Sequence, residues 1–226
     1  MDHAQLTDLL SLLREAAPTL LRGAGYTLLF AVAAMLGGLA LGFPAAVLRV
    51  APWALLRWPA ALYVSVFRGT PLLVQLFVIY YGLPSVGIEF TPVTAGVLAL
   101  SLNAGAYLSE SLRGAIAAVS MGQWRASYSL GLSWWQALGH VVLPQALRIA
   151  VPAMSNTLIS LIKDTSLVSV ITMTELMLMT KELISVTFRP LPLYLAAAAI
   201  YWLLSLFFEA IQRCAERRFN RAHQQH

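Results

Sequence analysis

The sequence predicts an all-α integral membrane protein with five transmembrane helices. Three observations lead there. Of 226 residues, 59% are hydrophobic and 11% charged, against about a quarter charged in a soluble domain. Five apolar runs are long enough to cross a hydrocarbon core, which takes about 20 helical residues. Between the third and fourth runs lies a polar break, Met121 to Arg148, long enough to require a contact of its own.

The elements follow in chain order. Residues 1–19 read as an interfacial amphipathic helix, because the leucines of Thr7–Ala17 share one face. Pro18 is expected to end or bend it, and no cleavable signal is expected before the first span. Residues 20–213 form the transmembrane domain and 214–226 a basic cytoplasmic tail. The spans are Ala24–Leu48, Trp58–Leu83, Phe90–Ser109, Ile149–Thr174 and Pro190–Phe208. Gly38 and Gly42, four apart in the first span, suit a close helix–helix approach.

Five spans put the termini on opposite sides. With the N-terminus outside, the inner side holds Arg49, Arg57, Arg113, Arg125, Arg148, Arg213, Arg217, Arg218 and Arg221. The outer side holds Arg14, Arg22, Lys181 and Arg189. Nine against four favours N-out, C-in. The net charge of +5 is therefore a matter of topology, and nucleic-acid binding, which needs a soluble basic patch, is set aside. The single cysteine, Cys214, excludes an internal disulfide and is expected to be a small buried residue. His3, His140, His223 and His226 do not cluster as metal ligands, and no catalytic triad stands out. A Gly-x-x-x-x-Gly-Lys-[Ser/Thr] loop for nucleotide phosphates is missing.

Charges within the spans are the candidate functional residues, because an ionised group in lipid needs a partner or a polar cavity. Arg68 sits in Phe67-Arg68-Gly69-Thr70-Pro71, where Pro71 removes a donor and Gly69 permits unusual torsions. A broken helix is expected there. Arg68 either pairs with a carboxylate near the surface or lines a transport path. Lys163 and Asp164 are adjacent and point about 100° apart on a helix, so one is expected to pair with another helix while the other faces a polar cavity. Asn103, Tyr107 and Glu110 share one face of the third span. Asn103 and Tyr107 could bond a solute or another helix, and Glu110 could pair with Arg113 or Arg68.

The polar break reads Arg125-Ala126-Ser127, Gly131, Val141, Leu143-Pro144. This resembles the loop of binding-protein-dependent ABC importer permeases, whose pattern is Glu-Ala-Ala, three residues, Gly, nine residues, Ile-x-Leu-Pro. Further strings resemble the polar amino acid branch: Phe67–Leu73, Gln75-Leu76-Phe77, Tyr80–Pro84, Leu100–Asn103, Gly122-Gln123-Trp124, Leu143–Ala146, Leu161–Leu167 and Glu175-Leu176. Gly23–Leu28 and Arg218–Arg221 look most like cystine-type permeases. The likeness runs from about residue 20 to 220.

The resemblance implies a type I importer permease in the bacterial inner membrane, acting with a second permease subunit, identical or related, and two ATPase subunits. A periplasmic or lipid-anchored binding protein would deliver the amino acid. No cofactor is expected on this chain, since ATP and Mg would be bound by the ATPase. The loop at 119–148 would seat in the ATPase through Gly122, Trp124, Arg125, Ala126, Ser127, Gly131, Leu143 and Pro144. Arg125 departs from the family's Glu, so the ATPase is expected to offer an acidic or neutral residue opposite it. Asp164 would receive the substrate's amino group, and Arg68 or backbone donors at Gly69 and Thr70 its carboxylate. Asn103, Tyr107, Thr165 and Ser166 would add hydrogen bonds. Cystine, a basic amino acid, glutamine or an opine all fit. The alternative is a stand-alone secondary amino acid transporter or channel.

Overall fold

A computed structural model describes residues 3–221, so residues 222–226 of the expected basic tail lie outside it. All regular elements among them are helical. In chain order they are α1 His3–Val50, α2 Ala54–Gly69, α3 Leu72–Phe77, α4 Pro92–Ala118, α5 Met121–Ser129, α6 Trp134–Ala137, α7 Leu143–Asp164, α8 Leu176–Thr187 and α9 Pro190–Arg221. Wide π turns occupy Val78–Gly82 and Leu138–Val142, and tight 3₁₀ turns occupy Leu83–Val86 and Thr165–Ile171.

Three helical stretches are long and apolar enough to cross a membrane: Gln5–Val50, Trp134–Ile171 and Pro190–Cys214. A fourth arises if α2 and the segment Leu72–Val86 count as one broken span. The remaining expected span, α4, has 27 residues, roughly 40 Å of helix. It is long enough, but Asn103, Glu110, Arg113 and its serines dilute its apolar character. Much of its apolar surface is taken up by protein, with Ala95, Ala99, Leu100, Ala106, Leu108 and Leu112 all buried.

Several expectations change. The N-terminal surface helix is not separate: α1 runs unbroken through Pro18 from His3 to Val50. Helical continuity costs one backbone hydrogen bond at a proline, and burial of Ala16 and Leu20 against Leu176, Leu193 and Ala197 offsets it. Cys214 is exposed. The break after α2 is present, but Gly69 has no left-handed torsion. Thr70 is the residue that turns extended, at φ −118° and ψ 147°, as a residue preceding proline must.

The described chain forms two compact units from interleaved stretches. One comprises residues up to 34, 72–100 and 158–208; the other comprises 35–71, 101–157 and the chain beyond 208. In the first, α1, α8 and α9 pack through Ala16, Leu20, Leu176, Leu193 and Ala197. In the second, the core is Ala46, Leu112, Ala115, Ile116, Val119, Leu138, Val142, Ala146 and Ala150. It joins the ends of α1 and α4 to the start of α7.

The glycines of α1 act as expected. A Cβ on Gly42 would stand 2.5 Å from the Gly105 carbonyl oxygen, and one on Gly105 would stand 2.6 Å from the Tyr63 hydroxyl and 3.1 Å from the Gly38 oxygen. Backbone meets backbone between α1 and α4, and Tyr63 of α2 lies against the same spot, donating to the Leu102 carbonyl at 2.7 Å. Gly42→Ala should destabilise the protein by about 1–3 kcal/mol, the usual cost of overpacking. Gly114→Ala, where a Cβ meets nothing within 4 Å, should leave stability unchanged or slightly raised. Thermal unfolding of detergent-solubilised protein checks the contrast.

Candidate functional site

The polar break is an ordered elbow. α5 ends in a left-handed Gly131 at φ 77°. Leu132 N–H donates to the Ser127 carbonyl at 3.2 Å and Gly131 N–H to that of Tyr128 at 3.0 Å. This is the double bond that closes a helix around a glycine, so the glycine in the pattern is required by the backbone. Ser133 then opens α6 reciprocally with Gln136: Ser133 N–H donates to the Gln136 side chain at 2.8 Å, and Gln136 N–H to the Ser133 hydroxyl at 3.4 Å. The helix continues through a π turn in which Leu143 N–H donates to the Leu138 carbonyl. Pro144, one residue on, has no N–H to give, and a widened turn relieves the ladder there. The stretch after Ser133 is therefore helix, where a loop was expected up to residue 148.

Aromatic side chains stiffen the elbow. Trp134 lies edge-on to Trp135 at 4.5 Å between centroids and stacks near Trp124 at 6.3 Å. Trp53, which precedes α2, stacks on Trp135 at 5.8 Å and meets Trp134 edge-on at 5.7 Å. Trp124 and Trp134 also pack on the apolar core of the second unit. Of the pattern Arg125-Ala126-Ser127, Arg125 and Ala126 face out while Ser127 is buried, its hydroxyl donating to the Gln123 carbonyl at 2.7 Å. Gly122, Met121, Tyr128, Leu130 and Trp135 add to the outward face. Trp53 and the Trp134–Trp135 pair were not singled out from the sequence; two consecutive tryptophans beside a polar break were the available signal.

A charge cluster lies in the same unit. Glu110 of α4 is ion-paired to Arg49 at 2.6 Å, to Arg113 at 2.5 Å and to Arg68 at 3.6 Å. The two partners expected for Glu110, Arg68 and Arg113, both engage it. Arg49, read only as a topological charge, is the most buried of the three guanidiniums, at 16% exposure against 41% for Arg68. Arg68 also lies over the Tyr107 ring, 5.4 Å from its centre. Asn103 donates to the Phe67 carbonyl at 3.3 Å, and Thr70 to that of Val66 at 2.9 Å. Arg68, Asn103 and Tyr107 thus come together where α2 ends on α4.

The other predicted residues fall in the first unit. Asp164 is half-buried and Lys163 exposed. Among the described residues neither forms an ion pair, so the interhelical pairing expected for one of them is not found. The Thr165 hydroxyl donates to the Ile162 carbonyl at 2.8 Å and the Ser166 hydroxyl to that of Lys163 at 2.7 Å. Both side chains therefore serve the change from α to 3₁₀ turns.

Glu175, quoted from the sequence only as part of a string, is fully buried. It caps α8 by accepting from Met177 and Leu178 N–H at 2.9 and 2.8 Å. It also accepts from the Tyr201 hydroxyl at 2.6 Å. The Thr27 hydroxyl of α1 lies 3.5 Å away and itself accepts from Leu176 N–H at 3.3 Å. An acidic residue flanked by threonine, leucines and methionines was the signal for it.

The regular elements among the described residues are all helical, and several are long and apolar enough to cross a membrane, which makes this an integral membrane protein. Residues 38–221 match the model of the binding-protein-dependent transport system inner membrane component family. The chain belongs to this family, the membrane permeases of ABC importers. It is 42% identical over 205 residues to the probable amino-acid ABC transporter permease protein YckA of Bacillus subtilis, covering 91% of each chain. It is also 42% identical over 205 residues to the L-cystine transport system permease protein TcyB of the same organism, covering 90% of this chain and 88% of that one. The crystal structure of an amino acid ABC transporter with histidines superposes with a TM-score of 0.87 at 36% identity, over 93% of this chain and 98% of that one.

Glu110 is the common anchor of three cations, so Glu110→Gln should cost more than any single arginine change. The loss should fall below the about 3–5 kcal/mol of a fully buried pair, since Glu110 is 26% exposed. Arg68→Gln should cost least of the three, because its contact is longest and most open to solvent. Melting temperatures of the four single variants rank them.

Proposed function

We propose that this chain is the translocating subunit of an ATP-driven importer for polar amino acids, with cystine the first substrate to test. The name of the 42% identical TcyB supports the cystine reading. The observation that supports coupling is the elbow itself, where α5 and α6 are locked by Gly131, Ser133 and four tryptophans onto the core shared by the ends of α1 and α4 and the start of α7. A push on its outward face would be transmitted as a rigid displacement of those helices. The partner on that face is an ATPase subunit carrying ATP and Mg. Two permease subunits, identical or related, and a periplasmic or lipid-anchored binding protein complete the machine. ATP binding and hydrolysis would bias two access states by stabilising them differently. Five spans, with α4 as the third and the N-terminus outside, agree with the charge asymmetry across the connections.

Arg125 sits on the outward face of α5 with no ion-pair partner among the described residues, so its charge is available to the ATPase. Arg125→Glu should uncouple substrate-stimulated ATP hydrolysis, measured in proteoliposomes with the cognate ATPase and binding protein. Unchanged stimulation would show that charge at this position is irrelevant.

Asp164 is the residue we assign to the substrate's amino group. It is half-buried, lies where α7 loosens into 3₁₀ turns, and has no salt bridge among the described residues. In the other unit, Arg68 is the loosest guanidinium on Glu110 and a separate candidate for contact with a carboxylate, with Asn103 and Tyr107 beside it in space and Gly69 and Thr70 beside it in sequence. Asp164→Asn should abolish uptake of labelled cystine while leaving co-purification with the ATPase intact. Normal uptake would remove Asp164 from the substrate path.

A further inference from the structure

The corner between α8 and α9 carries an anomaly that the transport reading does not use. Phe188 closes α8 in the left-handed region, at φ 55° and ψ 28°, with its N–H donating to the Ile184 carbonyl at 2.8 Å. Helices that end this way favour glycine or asparagine, because a Cβ is crowded there. A bulky aromatic in that conformation is an outlier. Packing within the chain does not compensate, since the ring is 84% exposed. Val186 and Leu191 on either side are 73% and 70% exposed. The corner is nevertheless held: Arg189, next in sequence, is ion-paired to Asp8 of α1. The chain therefore spends conformational freedom and a salt bridge to present an apolar ring outward at a fixed place.

An occupant of this patch follows from what continues it. The exposed apolar face begun by Leu191 runs on through Tyr194, Leu195 and Trp202 of α9. That helix is long and apolar enough to cross a bilayer. Its opposite face, Leu193 and Ala197, is fully covered by protein. The geometry points to Phe188 as a bilayer anchor, its ring inserted at the headgroup–acyl boundary where α9 enters the membrane. Aromatic and leucine side chains are stable at that depth, and the Arg189–Asp8 pair beside the ring suits the polar headgroup layer. The anchor holds the α8–α9 corner, and through Arg189 the start of α1, at one height in the membrane. Its partner is the lipid surface.

The test uses the full chain with Cys214→Ser, reconstituted in phosphatidylethanolamine–phosphatidylglycerol vesicles without binding protein. A spin label is placed at Phe188→Cys, with Leu195→Cys as a lipid reference and Glu182→Cys as an aqueous one. The ratio of collisions with oxygen to those with a water-soluble nickel chelate should be several-fold higher at 188 than at 182, approaching that at 195. A second variant guards against label effects: Phe188→Trp should gain a fluorescence component quenched by phospholipids brominated near the headgroup. A ratio at 188 equal to that at 182 would leave the ring in water. Shielding from both reagents would cover it with protein. Either result overturns the proposal.

Discussion

A single carboxylate organises the charged end of the second unit. Glu110 faces three guanidiniums, from the last turn of α1, the last turn of α2 and the next turn of its own helix. Three cations brought together without it would repel one another. With it, the last turns of α1 and α2 are held against α4. Arg49 and Arg68 also lie in last turns, where the partial negative charge of the helix terminus favours a cation. The clasp is completed by uncharged contacts, with Asn103 on the Phe67 carbonyl and Tyr63 on that of Leu102. The end of α2 is thereby fixed on α4 just before the chain breaks at Thr70 and Pro71.

The elbow depends on that same rigidity. Its core residues are shared with α1, α4 and α7, and four of the nine are alanines: Ala46, Ala115, Ala146 and Ala150. Small residues let helices approach closely and lock by van der Waals contact. The tryptophans play the opposite role, stacking large flat rings between α5 and α6. The sequence pattern of the elbow divides accordingly. Gly131 and Ser127 are demanded from within, by a left-handed torsion and by burial. Arg125 and Ala126 are left exposed.

In the first unit the equivalent role falls to Glu175. It is buried, yet its oxygens accept two backbone N–H groups and the Tyr201 hydroxyl. A buried carboxylate satisfied this fully can be kept. It joins the start of α8 to α9, with Thr27 bringing α1 to the same point.

Much of this was legible in the sequence because the underlying constraints are local. Apolar runs of membrane length, the helix break before Pro71 and the glycine spacing in α1 each follow from a few neighbouring residues. Apart from Arg68 with Glu110, pairings across the fold were not legible. Arg49 looked like one more topological charge, since nothing nearby announces that it meets Glu110. Pro18 looked like a helix end, since the packing of Ala16 and Leu20 that carries α1 through it comes from Leu176 and Leu193, far along the chain. The sequence by itself determined the solvent this protein lives in, the family it joins and the helix break before Pro71. Only the tertiary structure decided which charges neutralise one another and which side chains of the elbow face inward, because those choices are made by residues distant in sequence that meet only when the helices pack.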